Sequence, residues 1–303
     1  MHPAPDPAPP GPGLRATAAD LSTAVSAALR ETSPGHELTV DIAGLPWRAL
    51  AWGDPADPPV VLVHGVTSNA ETFWRMGPAV AAAGRHVVAV DLPGHGRTGH
   101  WQGHYRFPDM AADLVAFIRA GRLDAPELAV LGHSWGGMVA AALPIAGLRP
   151  ATLILMDPPA LPVEALEWLT QDPLERHYAS LAEASAAIRA ANPGWSDGDV
   201  EAKALGLTQF DPDAILAVLL DNGDWDGGLG ALADPAARDL STWLIRGDYG
   251  AGGMIPDEAV PAFEKRLGLD HVITIAGAPH SPQRTHPEAT VLAILRALGA
   301  VAA

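Results

Sequence analysis

Four short and almost wholly apolar runs, residues 60–63, 87–90, 128–131 and 153–156, alternate with stretches of helical spacing. A run that is apolar on every residue cannot have a wet face. Such runs alternating with helices specify a parallel sheet covered on both sides. Residues 243–245 and 272–275 continue the series. An open sheet of this kind gathers its functional groups at the carboxyl ends of its strands. Each run here ends in a chemically loaded loop: His64-Gly65, Asp91, His133-Ser134, Asp157, Asp248, and Ala278-Pro279-His280.

The flanking segments fill in the organisation. Residues 14–30 have helical spacing. Residues 36–53 alternate around Ala43-Gly44 and read as an antiparallel hairpin. The first thirteen residues are mostly proline, alanine and glycine. They lack the basic start and apolar centre of a secretory signal and are expected to form a disordered tail, which makes a cytoplasmic location the default. No apolar run reaches 18 residues, so no membrane span is expected. Residues 14–159 and 237–303 are expected to form one core. Residues 160–236 break the strand series and read as helices at 163–170, 173–191, 199–206 and 212–221, with no good strand; this is a lid inserted after a strand.

Charge is concentrated in that lid. It holds fourteen carboxylates against Arg176, Arg189 and Lys203, a net of −11 out of −16 for the 303-residue chain. So acidic a protein repels phosphate backbones, which argues against a nucleic-acid partner. The lid's field would likewise disfavour anionic substrates. The absence of cysteine removes disulfides, thiolate catalysis and Cys-ligated zinc. His100 and His104 lie four apart, but the glycines around them do not read as helix, so they are loop residues and not a metal pair.

Gly132-His133-Ser134-Trp135-Gly136 sits between an apolar strand and a small-residue helix. Glycines two positions either side of a serine let the chain turn sharply and lift the hydroxyl clear of the sheet. Together with Val60-Val61-Leu62-Val63-His64-Gly65, Asp91-Leu92-Pro93-Gly94-His95-Gly96-Arg97, Gly247-Asp248 and Gly277-Ala278-Pro279-His280, this order of segments resembles the α/β-hydrolase superfamily in its lid-bearing form. The resemblance covers roughly residues 36–300. It implies a mostly parallel eight-stranded sheet flanked by helices and topped by a helical lid.

It also implies a Ser-His-Asp triad. Ser134 is the expected nucleophile and His280 the base that takes its proton. Asp248 is the expected acid holding the imidazole, in the chain order this fold uses. Asp157 is its rival, because some family members place the acid after the earlier strand. The oxyanion hole is expected from the backbone N–H groups of Val66 and Trp135. Phe73, Trp74, Met138, Trp168 and Trp195 are candidates for a pocket, and the Trp135 ring, beside the nucleophile, is a further wall candidate. The reaction implied is hydrolysis of a neutral, largely apolar carboxylic ester, a small molecule, through an acyl-enzyme, with no cofactor or metal. Lactone, amide, thioester or carbon–carbon hydrolysis would use the same triad, and a ligand receptor without turnover is the different-class alternative.

Overall fold

The computed structural model describes residues 13–100 and 104–301. The expected proline-rich tail therefore lies outside the described residues, apart from Gly13. The strands are β1 (His36–Ile42), β2 (Leu45–Trp52), β3 (Pro59–Val63), β4 (His86–Val90), β5 (Ala129–His133), β6 (Thr152–Met156), β7 (Ala160–Leu161), β8 (Trp225–Asp226), β9 (Thr242–Arg246) and β10 (Val272–Thr274). Eight form one sheet in the order β1-β2-β4-β3-β5-β6-β9-β10. The β1–β2 hairpin and the β2–β4 pair are antiparallel, and every other pair is parallel.

The all-apolar runs divide by strict alternation. Val61, Val63, Val88, Val90, Val130, Leu153 and Leu155 face one layer. Val60, Leu62, Val87, Ala89, Leu131, Ile154 and Met156 face the other. Each side chain is fully buried, and removing one from water contributes about 1.5–3 kcal/mol. That is why no polar residue interrupts these runs.

Helices α1 (Thr23–Ala28), α2 (Met76–Ala81), α3 (Phe107–Ala120) and α4 (Trp135–Ala141) precede the insertion. Helices α5 (Val163–Leu169), α6 (Leu181–Ala191), α7 (Asp197–Thr208), α8 (Pro212–Leu220) and α9 (Leu229–Ala233) compose it. Helices α10 (Val260–Leu267), α11 (Pro282–Thr285) and α12 (Pro287–Ala297) close the chain. The α3 helix shows how the sequence works locally. Pro108 presets its first turn, Gly121 follows its last, and Met110, Leu114, Phe117 and Ile118 form its buried stripe.

The insertion is not a separate body. Leu166, Tyr178, Ile188, Val200, Leu207 and Phe210 share one buried cluster with Trp135, Met138 and Val139 of α4. At its neck β7 and β8 pair antiparallel, with Ala160 opposite Asp226 and Leu161 opposite Trp225. These are two short strands where none was expected.

Two other expectations change. Of residues 14–30 only 18–20 and 23–28 are helical, while Leu14 runs parallel to Ile275, donates to the Thr274 carbonyl (2.7 Å) and accepts from Ala276 N–H (3.1 Å). The chain here extends the free edge of β10, which an unpaired strand otherwise exposes. Of residues 173–191 only Leu181–Ala191 is helical, because the Ser180 side chain caps the Glu183 N–H and sets the start. Among the described residues no helix is long and apolar enough to cross a membrane.

Candidate active site

Ser134 stands at the carboxyl end of β5 with φ 56° and ψ −126°, a conformation strongly disfavoured for a side chain with a Cβ. The turn is held by its surroundings. The Ser134 N–H donates to the Met156 carbonyl at 2.9 Å, and the Gly137 N–H donates to the Ser134 carbonyl at 2.8 Å. The glycines of the elbow are steric necessities: a Cβ on Gly132 would lie 2.0 Å from the Gly136 carbonyl oxygen, and one on Gly136 would lie 2.5 Å from the Val63 and His64 carbonyl oxygens.

His280 lies in the loop between β10 and α11. Its Nε2 is 2.9 Å from Ser134 Oγ, and its Nδ1 is 2.7 Å from Oδ2 of Asp157. The backbone fixes the ring: the His280 N–H donates to the Gly252 carbonyl, and its own carbonyl meets His133 Nε2 at 2.9 Å. The expected Asp248 is not on the imidazole. Its two carboxylate oxygens accept the Gly250 and Gly277 N–H groups, at 3.1 and 3.0 Å, and cap a turn. The reason is strand order. β6 lies directly beside β5, with Met156 in register with His133, so Asp157 and Ser134 leave adjacent strands together. β9 is one strand further out.

Asp157 is fully buried and adopts φ 46°. Besides His280, its oxygens accept the N–H groups of Gly247 (2.9 Å) and Met254 (3.0 Å). Three hydrogen-bond contacts fix the direction of this carboxylate; a carboxylate accepts, so the contact assigns the N–H to Nδ1 of His280 and leaves Nε2 to accept from Ser134.

The Gly65–Val66 peptide passes close to the serine. A Cβ on Gly65 would lie 3.0 Å from Ser134 Cβ and 3.5 Å from its Oγ. Neither the Val66 N–H nor the Trp135 N–H donates to another described residue. His64 anchors this peptide from behind. Its Nδ1 lies 2.8 Å from the Gly65 carbonyl, while the Leu92 N–H donates to its Nε2 at 3.1 Å. With its lone pair taken the ring stays neutral, and burial pushes it down to about 4. His95 is held down further, to about 3, by burial and the neighbouring His64.

Helix α7 of the insertion grips Thr67, the residue after Val66. The buried Lys203 ammonium donates to the Thr67 carbonyl (3.1 Å), the Thr67 hydroxyl (2.8 Å) and Glu175 (2.5 Å), and Thr67 also donates to Glu175. Nothing in the sequence separates Lys203 from a solvated lid lysine; its neighbours Ala202, Ala204 and Gly206 on a buried helix face are the only hint.

The pocket candidates scatter. Trp74 donates to Asp199 where the insertion meets the core, and Trp195 lies against the Arg284 guanidinium. Met138 borders a surface groove with Phe107 and Ile145. Phe73 is buried in the layer behind the sheet, and Trp168 is 73 % exposed. The Trp135 ring is not a wall. It is fully buried, stacked on His95 at 5.1 Å.

A model of the alpha/beta hydrolase family matches residues 60–294. The chain belongs to that family. This alpha/beta hydrolase is 28 % identical to Lipase LipV of Mycobacterium tuberculosis over 264 residues, which are 81 % of this chain and 95 % of that protein. It is 33 % identical over 129 residues to Epoxide hydrolase A of the same organism, a stretch spanning 42 % of this chain but only 39 % of that protein's length. The esterase RhEst1 from Rhodococcus sp. ECU1013 superposes with a TM-score of 0.69 at 19 % identity, covering 88 % of this chain and 98 % of that one; this likeness shows the fold.

Proposed function

We propose that this hydrolase is a serine esterase acting through Ser134, His280 and Asp157. The observation that carries the reading is the unbroken hydrogen-bond chain from Ser134 Oγ through the imidazole to a buried carboxylate. In the reaction Ser134 Oγ attacks the ester carbonyl while His280 Nε2 takes its proton. The tetrahedral oxyanion accepts from the Val66 and Trp135 N–H groups. Collapse expels the alcohol, which receives the proton from Nε2. Water, deprotonated by the same nitrogen, then hydrolyses the acyl-serine. Asp157 holds the Nδ1–H tautomer and stabilises the imidazolium in both halves. A serine at the elbow distinguishes this chain from epoxide hydrolases, whose family pattern has aspartate there.

A fluorophosphonate probe together with a p-nitrophenyl ester chain-length series tests the reading. Covalent labelling of wild type but not of Ser134→Ala, with ester turnover, is the expected result. Labelling without ester turnover would leave a serine hydrolase of another substrate class, and no labelling would remove the reading.

The oxyanion assignment has its own test. Val66→Pro deletes the N–H and is expected to lower kcat about 10²-fold, while Val66→Ala retains the donor and most of the activity. Equal losses in both would show that the side chain, not the N–H, matters.

A further inference from the structure

The strongest unexplained group near the serine is a cation. Arg284 lies four residues after His280 and is only 8 % exposed. A buried guanidinium is normally neutralised by a carboxylate within hydrogen-bond reach. Arg284 has none among the described residues. Its Nη2 donates to the Thr72 hydroxyl at 2.9 Å, its plane lies over the Trp195 ring at 4.8 Å, and its buried Nε has no partner.

The two carboxylates whose fields reach it, Asp199 and Glu175, are bonded to other cations. Asp199 accepts from Arg75 at 2.7 Å, and Glu175 accepts from Lys203 at 2.5 Å. Arg75 and Lys203 each hold one of these carboxylates directly, the field of a third, Asp172, falls on Lys203, and Arg284 is the cation left without an ion pair.

Its position is also specific. Thr72 follows the loop that carries Val66, and Trp195 belongs to the lid, so the guanidinium lies where lid and core meet. Its field, with that of Lys203, reaches His133, whose ring is 5.0 Å from that of His280.

We propose that Arg284 is a subsite for one carboxylate carried by the substrate, so that the ester hydrolysed is a monoacid rather than a neutral molecule. The inference rests on the serine-esterase reading above and revises the neutral substrate expected from lid charge. The lid's net −11 repels a dianion, while a single unpaired guanidinium compensates one negative charge. A planar carboxylate also matches the donor fork of arginine.

The test compares the p-nitrophenyl monoester of glutaric acid with its methyl ester, which is nearly the same size but uncharged. Wild type is expected to favour the acid in kcat/KM, and Arg284→Gln to lower that acid-to-methyl-ester ratio about 10–100-fold. Arg284→Lys is expected to restore part of it. A ratio unchanged by Arg284→Gln, or a wild type that favours the methyl ester, overturns the subsite. Should Arg284→Gln not fold, wild type alone decides. Butyrate, a monoanion, is expected to slow fluorophosphonate labelling of Ser134 at concentrations where the uncharged butyramide does not, and equal protection overturns the proposal. Absence of labelling in wild type removes the esterase reading itself, and the subsite with it.

Discussion

Asp157→Asn is expected to lower kcat about 10³–10⁴-fold, while Asp248→Asn keeps most of the activity. The asymmetry follows from what each carboxylate accepts. Asp157 takes three N–H donors, one of them His280 Nδ1. An amide there loses the charge that stabilises the imidazolium. Its NH2 group must also face a donor, and facing Nδ1 would favour the tautomer that cannot accept the serine proton. Asp248 accepts only backbone N–H groups of Gly250 and Gly277, and one amide oxygen keeps one of them. Its replacement is therefore expected to remove about 1 kcal/mol of stability, as loss of a cap does. Steady-state kinetics of the two variants beside urea unfolding separates the effects. A loss in Asp248→Asn as deep as in Asp157→Asn would mean that the acting triad is not the observed one.

Burial of His64 and His95 is together expected to lower the unfolding free energy by about 4 kcal/mol between pH 7 and pH 5. His64 and His95 are pushed to about 4 and about 3 by burial, against an ordinary 6.5. Groups with a depressed folded value bind protons in the unfolded chain first. Their stabilising contribution is complete above pH 6.5 and is lost as pH falls towards the folded values. At pH 5 each has given up about 1.5 units, or about 2 kcal/mol. His133, held well below its ordinary value by burial, adds to the loss, and Asp91, whose carboxyl is raised by burial, binds protons more readily when folded and opposes it. Urea midpoints at the two pH values measure this; a stability independent of pH over that window would contradict the neutral, buried rings. Because His64 holds the Gly65–Val66 peptide, protonation of the folded ring, near pH 4, is expected to loosen the proposed oxyanion donor.

The parallel sheet was legible because complete burial leaves no choice of residue type: every apolar run lies within one residue of a strand. Ser134 and His280 were legible because a tight turn and a strand-end loop leave local signatures. The choice between Asp157 and Asp248 was not local. Both follow strands and both sit beside small or rigid residues, and only the lateral order of β6 and β9 places one of them beside His280. Lys203 and Arg284 were invisible for a related reason. Composition assigns lysine and arginine to solvent, and their burial arises when α7 and α11 fold against the Thr67–Thr72 segment. The ring of the tryptophan beside the serine was not legible either: it turned inward to His95 instead of lining a pocket.

On the proposed reading, the contact between Lys203 and Thr67 would make substrate access and reactivity a single equilibrium. Thr67 follows Val66, the proposed oxyanion donor, so lifting α7 would release that donor along with whatever the insertion covers. In an opened molecule the serine would meet its substrate without a fixed oxyanion site, and only reclosure would restore it. Premature attack on a half-bound ester, or on water in an empty site, would then be slowed by the very movement that lets molecules in.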